Sequence, residues 1–389
     1  MGKIKNKVEF ILKHNKIINK AYVLFGSLFF KFIGLFVKTN NYLILFTSLN
    51  MGYNDSPKAI YEEMIKNDEF KKFTYVWAVK NIENSQIPGP CSIVKADTLK
   101  YFILSLKAKY WISSVNIERG LKYKKKKTIY LNTWHGIPIK KIGNAAKGRV
   151  NYNFSHIDFF CSSSEFENEI YSKDLLVNKT NIILSGMPRN DELYSITKND
   201  MTTIKQKLNL PLDKKIILYA PTWRDSIDSG NSYSGLLNLN IEMWKEMLGS
   251  EYILLLRSHH YTTSKFDLIN DDFVYDFSDY KSINELLKIS DILISDYSAT
   301  IFDYAILERP FYIFAYDLDS YLLNRGTYID IKNEFNEVFV DNENDLIKKI
   351  KSIDYVRTCD FTRKIKNKYI CYGGNATNIC ISKLFKKEQ

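Results

Sequence analysis

From residue 42 onward, short apolar runs alternate with amphipathic stretches. Residues 42–47 (YLILFT), 73–79 (FTYVWAV), 110–114, 128–132 (TIYLN), 157–161 and 181–184 read as buried strands, with helices over 57–66 and 97–106. The grammar repeats after residue 190, with a helix over 202–208 and strands over 215–219, 252–256, 291–295 and 311–314. Strand–helix alternation of this kind predicts parallel sheets with crossover helices. The expected α/β fold is two doubly wound Rossmann-like domains, 41–195 and 196–389, joined near 187–200 and facing a cleft. Ligands in such sheets bind beyond the carboxyl ends of the strands, so the cleft is the expected site.

Residues 1–40 follow a different pattern. Ile4, Val8, Ile11, Leu12 and Ile18 recur at roughly helical spacing among lysines. They precede seventeen residues, 21–37 (AYVLFGSLFFKFIGLFV), that are apolar but for Gly, Ser and Lys31. A spanning helix needs about 20 such residues, and a lysine at the bilayer centre costs roughly 3 kcal/mol. No small-residue cleavage site follows, as a signal peptide requires. Basic flanks with Phe and Leu between them predict an amphipathic helical segment lying at the headgroups of an anionic membrane. A true anchor with its basic end inside would carry the rest of the chain across the membrane.

Charge sharpens this picture. The net charge is +11, but residues 1–40 hold eight Lys against Glu9, a local +7, which leaves +4 for the other 349 residues. A nucleic-acid binder spreads basic residues over a folded face, so no nucleic-acid partner is expected. Apolar and charged fractions of 45% and 25% are those of a globular chain. The five cysteines (91, 161, 359, 371, 380) form no C-x-x-C pair or zinc spacing and read as reduced thiols.

Candidate chemistry lies just past the strands. In TIYLNTWHGIPIKKIG, His135 follows a strand, and Gly136 and Pro138 tighten the loop. Histidine takes a proton near neutral pH unaided. LLLRSHHY puts Arg257 and His259 at a second strand end, where guanidinium and imidazole suit phosphate oxygens. In DILISDYSATIFDYAILERP, Asp296, Ser298 and Thr300 open a helix, which caps it and offers an anion site at once. ILYAPTWRD delivers Thr222 and Arg224, and GMPRND places Arg189 and Asp191 at the junction between halves. There is no G-x-x-x-x-G-K-[ST], no G-x-G-x-x-G after the first strand, no H-E-x-x-H and no metal-ligand cluster. Neither a metal nor a cofactor is expected.

Seven strings, YNDSPKAIYEEM (53–64), NTWHGIPIKKIG (132–143), GMPRNDEL (186–193), ILYAPTWRD (217–225), RSH (257–259), SDYSATIFDYAILERPFYIFAYDLDSY (295–321) and RGTYID (325–330), run in the order found in the CDP-glycerol glycerophosphotransferase family of teichoic acid and capsule synthesis. The chain resembles that family over most of 42–330. His260 stands where the family pattern has Tyr or Pro, and YGGNAT (372–377) matches its tail only loosely.

The resemblance implies a GT-B-like fold and peripheral attachment to the cytoplasmic face of the membrane. It implies a CDP-glycerol or CDP-ribitol donor bound mainly by the C-terminal half, and an undecaprenyl-linked or polymer acceptor. His135 falls on the catalytic base and His259 on a second catalytic histidine. Arg257, Asp296 and Ser298 fall on donor-site positions, joined by Arg224, Thr300 and Asp303, while Gly136, Arg189 and Asp191 fall at the cleft and hinge. The length suits the addition of one or a few units. The rival readings are a nucleotide-sugar glycosyltransferase or epimerase on the same fold, and a membrane module that binds without turnover.

Overall fold

In the computed structural model, residues 15–147, 152–222, 239–257 and 272–385 are described. The chain forms two compact units that do not follow a single cut at residue 195. The first comprises Met1–His135, Ile142–Asp191 and Cys371–Gln389; the second comprises Gly136–Lys141 and Glu192–Ile370. Residues 371–385 thus return to the first unit, a departure from the expected linear division.

Among the described residues seven parallel strands build the first unit: β1 (Asn40–Thr47), β2 (Thr74–Val79), β3 (Cys91–Lys95), β4 (Ala108–Ser113), β5 (Ile129–Asn132), β6 (Phe159–Ser162) and β7 (Ile182–Leu184). Their order is β3-β2-β1-β4-β5-β6-β7. Strand order reverses between β1 and β4, the position where doubly wound sheets open a crevice. β1 and β2 are buried along most of their length, so they appear as continuous apolar runs. Phe46 stacks on Trp77 at 5.1 Å, and Tyr61 from the helix Asp55–Lys66 meets both rings edge-on. The C-terminal helix Ala376–Phe385 joins this core through Cys380 and Leu384.

Among the described residues six strands build the second unit: β8 (Lys215–Tyr219), β9 (Tyr252–Leu256), β10 (Val274–Asp276), β11 (Ile292–Ser295), β12 (Phe311–Phe314) and β13 (Phe339–Val340). Their order, β10-β9-β8-β11-β12-β13, is that of the first sheet again, all parallel, with its reversal between β8 and β11. The sequence did not reveal β3, β10 or β13. Each is an edge strand, short or half-exposed, and so carries little apolar signal.

The N-terminal apolar segment is a helix, Lys16–Phe36, capped by the Asn15 side chain. One stripe of it is docked on the first unit. Phe30 packs on Phe102 and Tyr123 with ring centroids 4.5 and 5.3 Å away. At Gly26 and Gly34 any Cβ would press on Leu121 and Leu106, so small residues set the close approach. Ser27 Oγ accepts from the backbone N–H of Lys122 at 2.9 Å. On the other stripes Ile17, Phe25, Phe32, Leu35 and Phe36 are exposed.

Candidate active site

In the first unit the groups past the strand ends converge at the β1/β4 reversal. β1 leads into a turn where the Leu49 N–H donates to Ser114 Oγ at 3.0 Å, fixing the segment after β4 beside the segment after β1. The carbonyl of the same Ser114 lies 2.9 Å from His135 Nδ1. A carbonyl only accepts, so this bond requires the proton on Nδ1. In the neutral ring that leaves the lone pair on Nε2. The imidazole also lies against the Trp134 indole, 4.2 Å between centroids. Trp134 (φ 54°) and Gly136 (φ 146°) flank it with positive φ, which makes a sharp reversal that Gly tolerates and Trp does not favour.

Arg189 is tied from two sides. Its Nη1 donates to Asp55 Oδ1 at 2.8 Å and to the His135 carbonyl at 3.0 Å. Both side chains of this ion pair are largely buried, Asp55 to 5% exposure and Arg189 to 15%. Asp55, the first residue of its helix, sits at φ 59°. Strain of this sort costs about 1–3 kcal/mol and persists where surroundings enforce it. Arg189 is thus a residue that fixes the His135 loop, and sequence reasoning missed its partners. Asp55 lay inside a quoted motif but reads there as an ordinary helix start. Ser114 acts through a backbone carbonyl, which leaves no signal in residue type.

Asp191 is also committed to the fold. Its carboxylate accepts from the N–H groups of Ala376 and Thr377 at 2.9 and 2.7 Å and so caps the C-terminal helix. Gly136, beyond His135, belongs with the second unit, where 139–141 pair with 326–328: Tyr328 N–H donates to the Ile139 carbonyl at 2.7 Å and Lys141 N–H to that of Gly326 at 3.1 Å.

The second unit assembles its own strand-end cluster at the β8/β11 reversal. Asp296 is buried, and its Oδ1 accepts from the Thr222 and Tyr297 N–H groups at 2.8 and 2.5 Å. Its carboxylate shapes the two loops that carry the other candidates. Ser298 Oγ donates to Thr300 Oγ1 at 3.0 Å and accepts the Thr300 N–H at 3.3 Å, at the start of a helix of only six residues, Thr300–Ala305. Asp303 is buried on that helix. Arg257 follows β9 and is pinned through Nη1 to the carbonyls of Phe277 and Tyr280, 3.0 and 2.6 Å away. Burial pulls its guanidinium down from the ordinary value, and Asp279 opposes this. A guanidinium held from one side keeps its other donors directed. Arg224 and His259 lie outside the described residues. Among the described residues no group of three or more His, Cys, Asp or Glu is placed to hold a metal ion.

This geometry defines a two-unit parallel α/β protein, with an imidazole that carries its proton on Nδ1 in the first unit and a half-buried arginine at a strand end in the second. The family profile described as CDP-Glycerol:Poly(glycerophosphate) glycerophosphotransferase matches residues 29–377, and the chain belongs to that family. It is 35% identical to the teichoic acid glycerol-phosphate transferase of Staphylococcus aureus (strain NCTC 8325 / PS 47) over 90% of this chain and 91% of that one. It is 34% identical to the teichoic acid poly(glycerol phosphate) polymerase of Bacillus subtilis (strain 168) over 98% of its own length, spanning about half (53%) of that relative. Among solved structures, that of the wall teichoic acid polymerase TagF superposes with a TM-score of 0.81 at 29% identity, covering 98% of this chain and 97% of that one.

Proposed function

We propose that this chain transfers glycerol phosphate from CDP-glycerol to a lipid-linked saccharide or teichoic acid acceptor at the cytoplasmic face of the membrane, releasing CMP. Family membership and the glycerol-phosphate names of its relatives support the reaction class, and TagF has also been solved after soaking with CDPG. The observation that carries the mechanism is the Ser114–His135 hydrogen bond, which puts the ring proton on Nδ1 and the basic lone pair on Nε2.

In this reading His135 takes the proton of an acceptor hydroxyl, whose oxygen attacks the β-phosphorus of CDP-glycerol in line. The bond from that phosphorus to the bridging oxygen breaks, and CMP departs with the electron pair. Positioning and electrostatic stabilisation carry most such phosphoryl transfers. Arg257 supplies positive charge to the diphosphate, with His259, Arg224, Ser298 and Thr300 as further donors. Asp296 and Asp303 organise those loops. The two Rossmann-like units then act as the halves of a GT-B-like enzyme, the first activating the acceptor and the second holding the nucleotide.

The N-terminal helix attaches the enzyme by lying in the headgroup plane. Its docked stripe runs from Gly26 to Gly34 and so ties two turns of it to the folded unit, while the exposed stripes offer Phe and Leu side chains. By length and composition alone the helix also suffices to span a bilayer.

CMP release from CDP-glycerol and CDP-ribitol, assayed in parallel with a lipid-linked disaccharide acceptor, tests the reading. Release from CDP-glycerol that disappears in His135→Ala, with donor binding retained, is the expected result. Near-normal release by His135→Ala removes the base assignment, and release only from CDP-ribitol changes the polyol.

A further inference from the structure

Beside the N-terminal helix lies a cavity of about 590 Å³, within the size range of small-molecule pockets. The helix contributes Lys20, Val23, Leu24, Ser27, Leu28 and Lys31 to its wall. These residues recur at i, i+3, i+4, i+7, i+8 and i+11, a single face, with an apolar centre and a lysine at each end, about 16 Å apart along the axis. The opposite wall brings Lys122, whose backbone N–H is bonded to Ser27 Oγ and which therefore stands beside the middle of the stripe. Apolar Leu176 closes one side, and among the described residues no carboxylate lines the cavity.

Three ammonium groups around an apolar floor, open toward the exposed Phe and Leu side chains of the same helix, match one kind of occupant. We infer that this cavity is a binding site for a single anionic glycerophospholipid, its phosphate held by Lys122 and Lys31 and its acyl chains laid over Leu24 and Leu28. The inference rests on the headgroup-plane reading above and adds to it a discrete lipid site, distinct from the diffuse attraction of a basic helix to a charged surface. A soluble phosphate would leave the apolar floor unused, and a zwitterionic lipid would bring its own cation to the lysines. A bound lipid would seat the helix at a fixed depth against the first unit.

The test uses the full chain and two probes. The first is short-chain phosphatidylglycerol below its micelle-forming concentration, titrated by calorimetry with glycerol phosphate as the competitor. The second is flotation with vesicles of phosphatidylcholine alone or with phosphatidylglycerol added. Saturable one-to-one binding of the short-chain lipid is expected, weakened about fivefold by Lys122→Ala or Lys31→Ala, the loss of one lysine's attraction. Lys126→Ala removes the same charge from an exposed position on the same loop that does not line the cavity, and should leave binding unchanged. Equal losses in Lys122→Ala and Lys126→Ala would reduce the effect to surface charge and overturn the site. Full displacement by glycerol phosphate would make it a soluble-phosphate site, also against the inference. Flotation that ignores lipid charge would sink the lipid site yet keep the membrane reading, whereas a wild-type chain that floats with neither vesicle would sink both. Thermal melts matching wild type confirm that the variants fold.

Discussion

Asp55, Arg189 and His135 show how the first unit holds the loop past β5. The loop runs through positive-φ residues on both sides of the imidazole, and a half-orphaned loop of that shape would relax. The Arg189 fork joins the His135 carbonyl to a buried carboxylate and holds the loop in place. Removing one partner of a buried ion pair leaves the other charge uncompensated, at about 3–5 kcal/mol. Asp55→Ala should therefore lower the urea midpoint and also depress CMP release below what the unfolded fraction explains. Gly186 makes a second prediction at this scale. It sits at φ 78°, and a Cβ there would lie 2.5 Å from the Tyr372 carbonyl oxygen. Gly186→Ala should cost about 1–3 kcal/mol by thermal unfolding, because both the backbone and the returning C-terminal segment must shift.

The N-terminal helix illustrates how one element can serve two surroundings. Its small residues and Phe30 meet protein, while Phe25, Phe32 and Phe36 meet solvent or lipid. The two stripes should separate on mutation. Phe30→Ala should destabilise the fold by about 3–5 kcal/mol, discounted for the ring's incomplete burial. Phe32→Asp should leave the melting temperature within a degree or two but weaken vesicle flotation severalfold. The opposite pattern would mean that the docked and exposed stripes are exchanged. The edge strands are elements of another kind. β3, β10 and β13 complete their sheets through backbone pairing, so residue type constrains them little.

Across the whole molecule, tyrosines fill the cores. Tyr101, Tyr130, Tyr171 and Tyr304 are fully buried, and loss of solvation raises each phenol, Tyr101 to about 12. In the unfolded chain these phenols ionise near 10. Between about pH 10 and 12 the unfolded state therefore holds fewer protons than the folded one, and stability falls with rising pH. Alkaline unfolding that begins near pH 10, followed by phenolate absorbance and far-UV circular dichroism together, is the expected result. Phenolate appearing well before the loss of helix would mean that the tyrosines are accessible. The C-terminal helix is held in the same large-scale way. It is capped by Asp191, 185 residues earlier in sequence, and it packs Cys380 beside Cys161 at 3.3 Å.

Most of the architecture was legible in the sequence because central parallel strands are buried on both faces and must be apolar throughout. The strands over 42–47, 215–219, 252–256 and 311–314 were expected within two residues of where they lie. The place of His135 just past a strand end was legible too, since it follows an apolar run and precedes a Gly-Pro loop. Tertiary structure alone decided the partners. Nothing local says that Asp191 caps a helix far along the chain, that Arg189 grips a histidine carbonyl, or that residues 371–385 return to the first unit. Burial leaves its mark on residue type along the chain. A hydrogen bond to a distant backbone group depends only on where the fold brings that group.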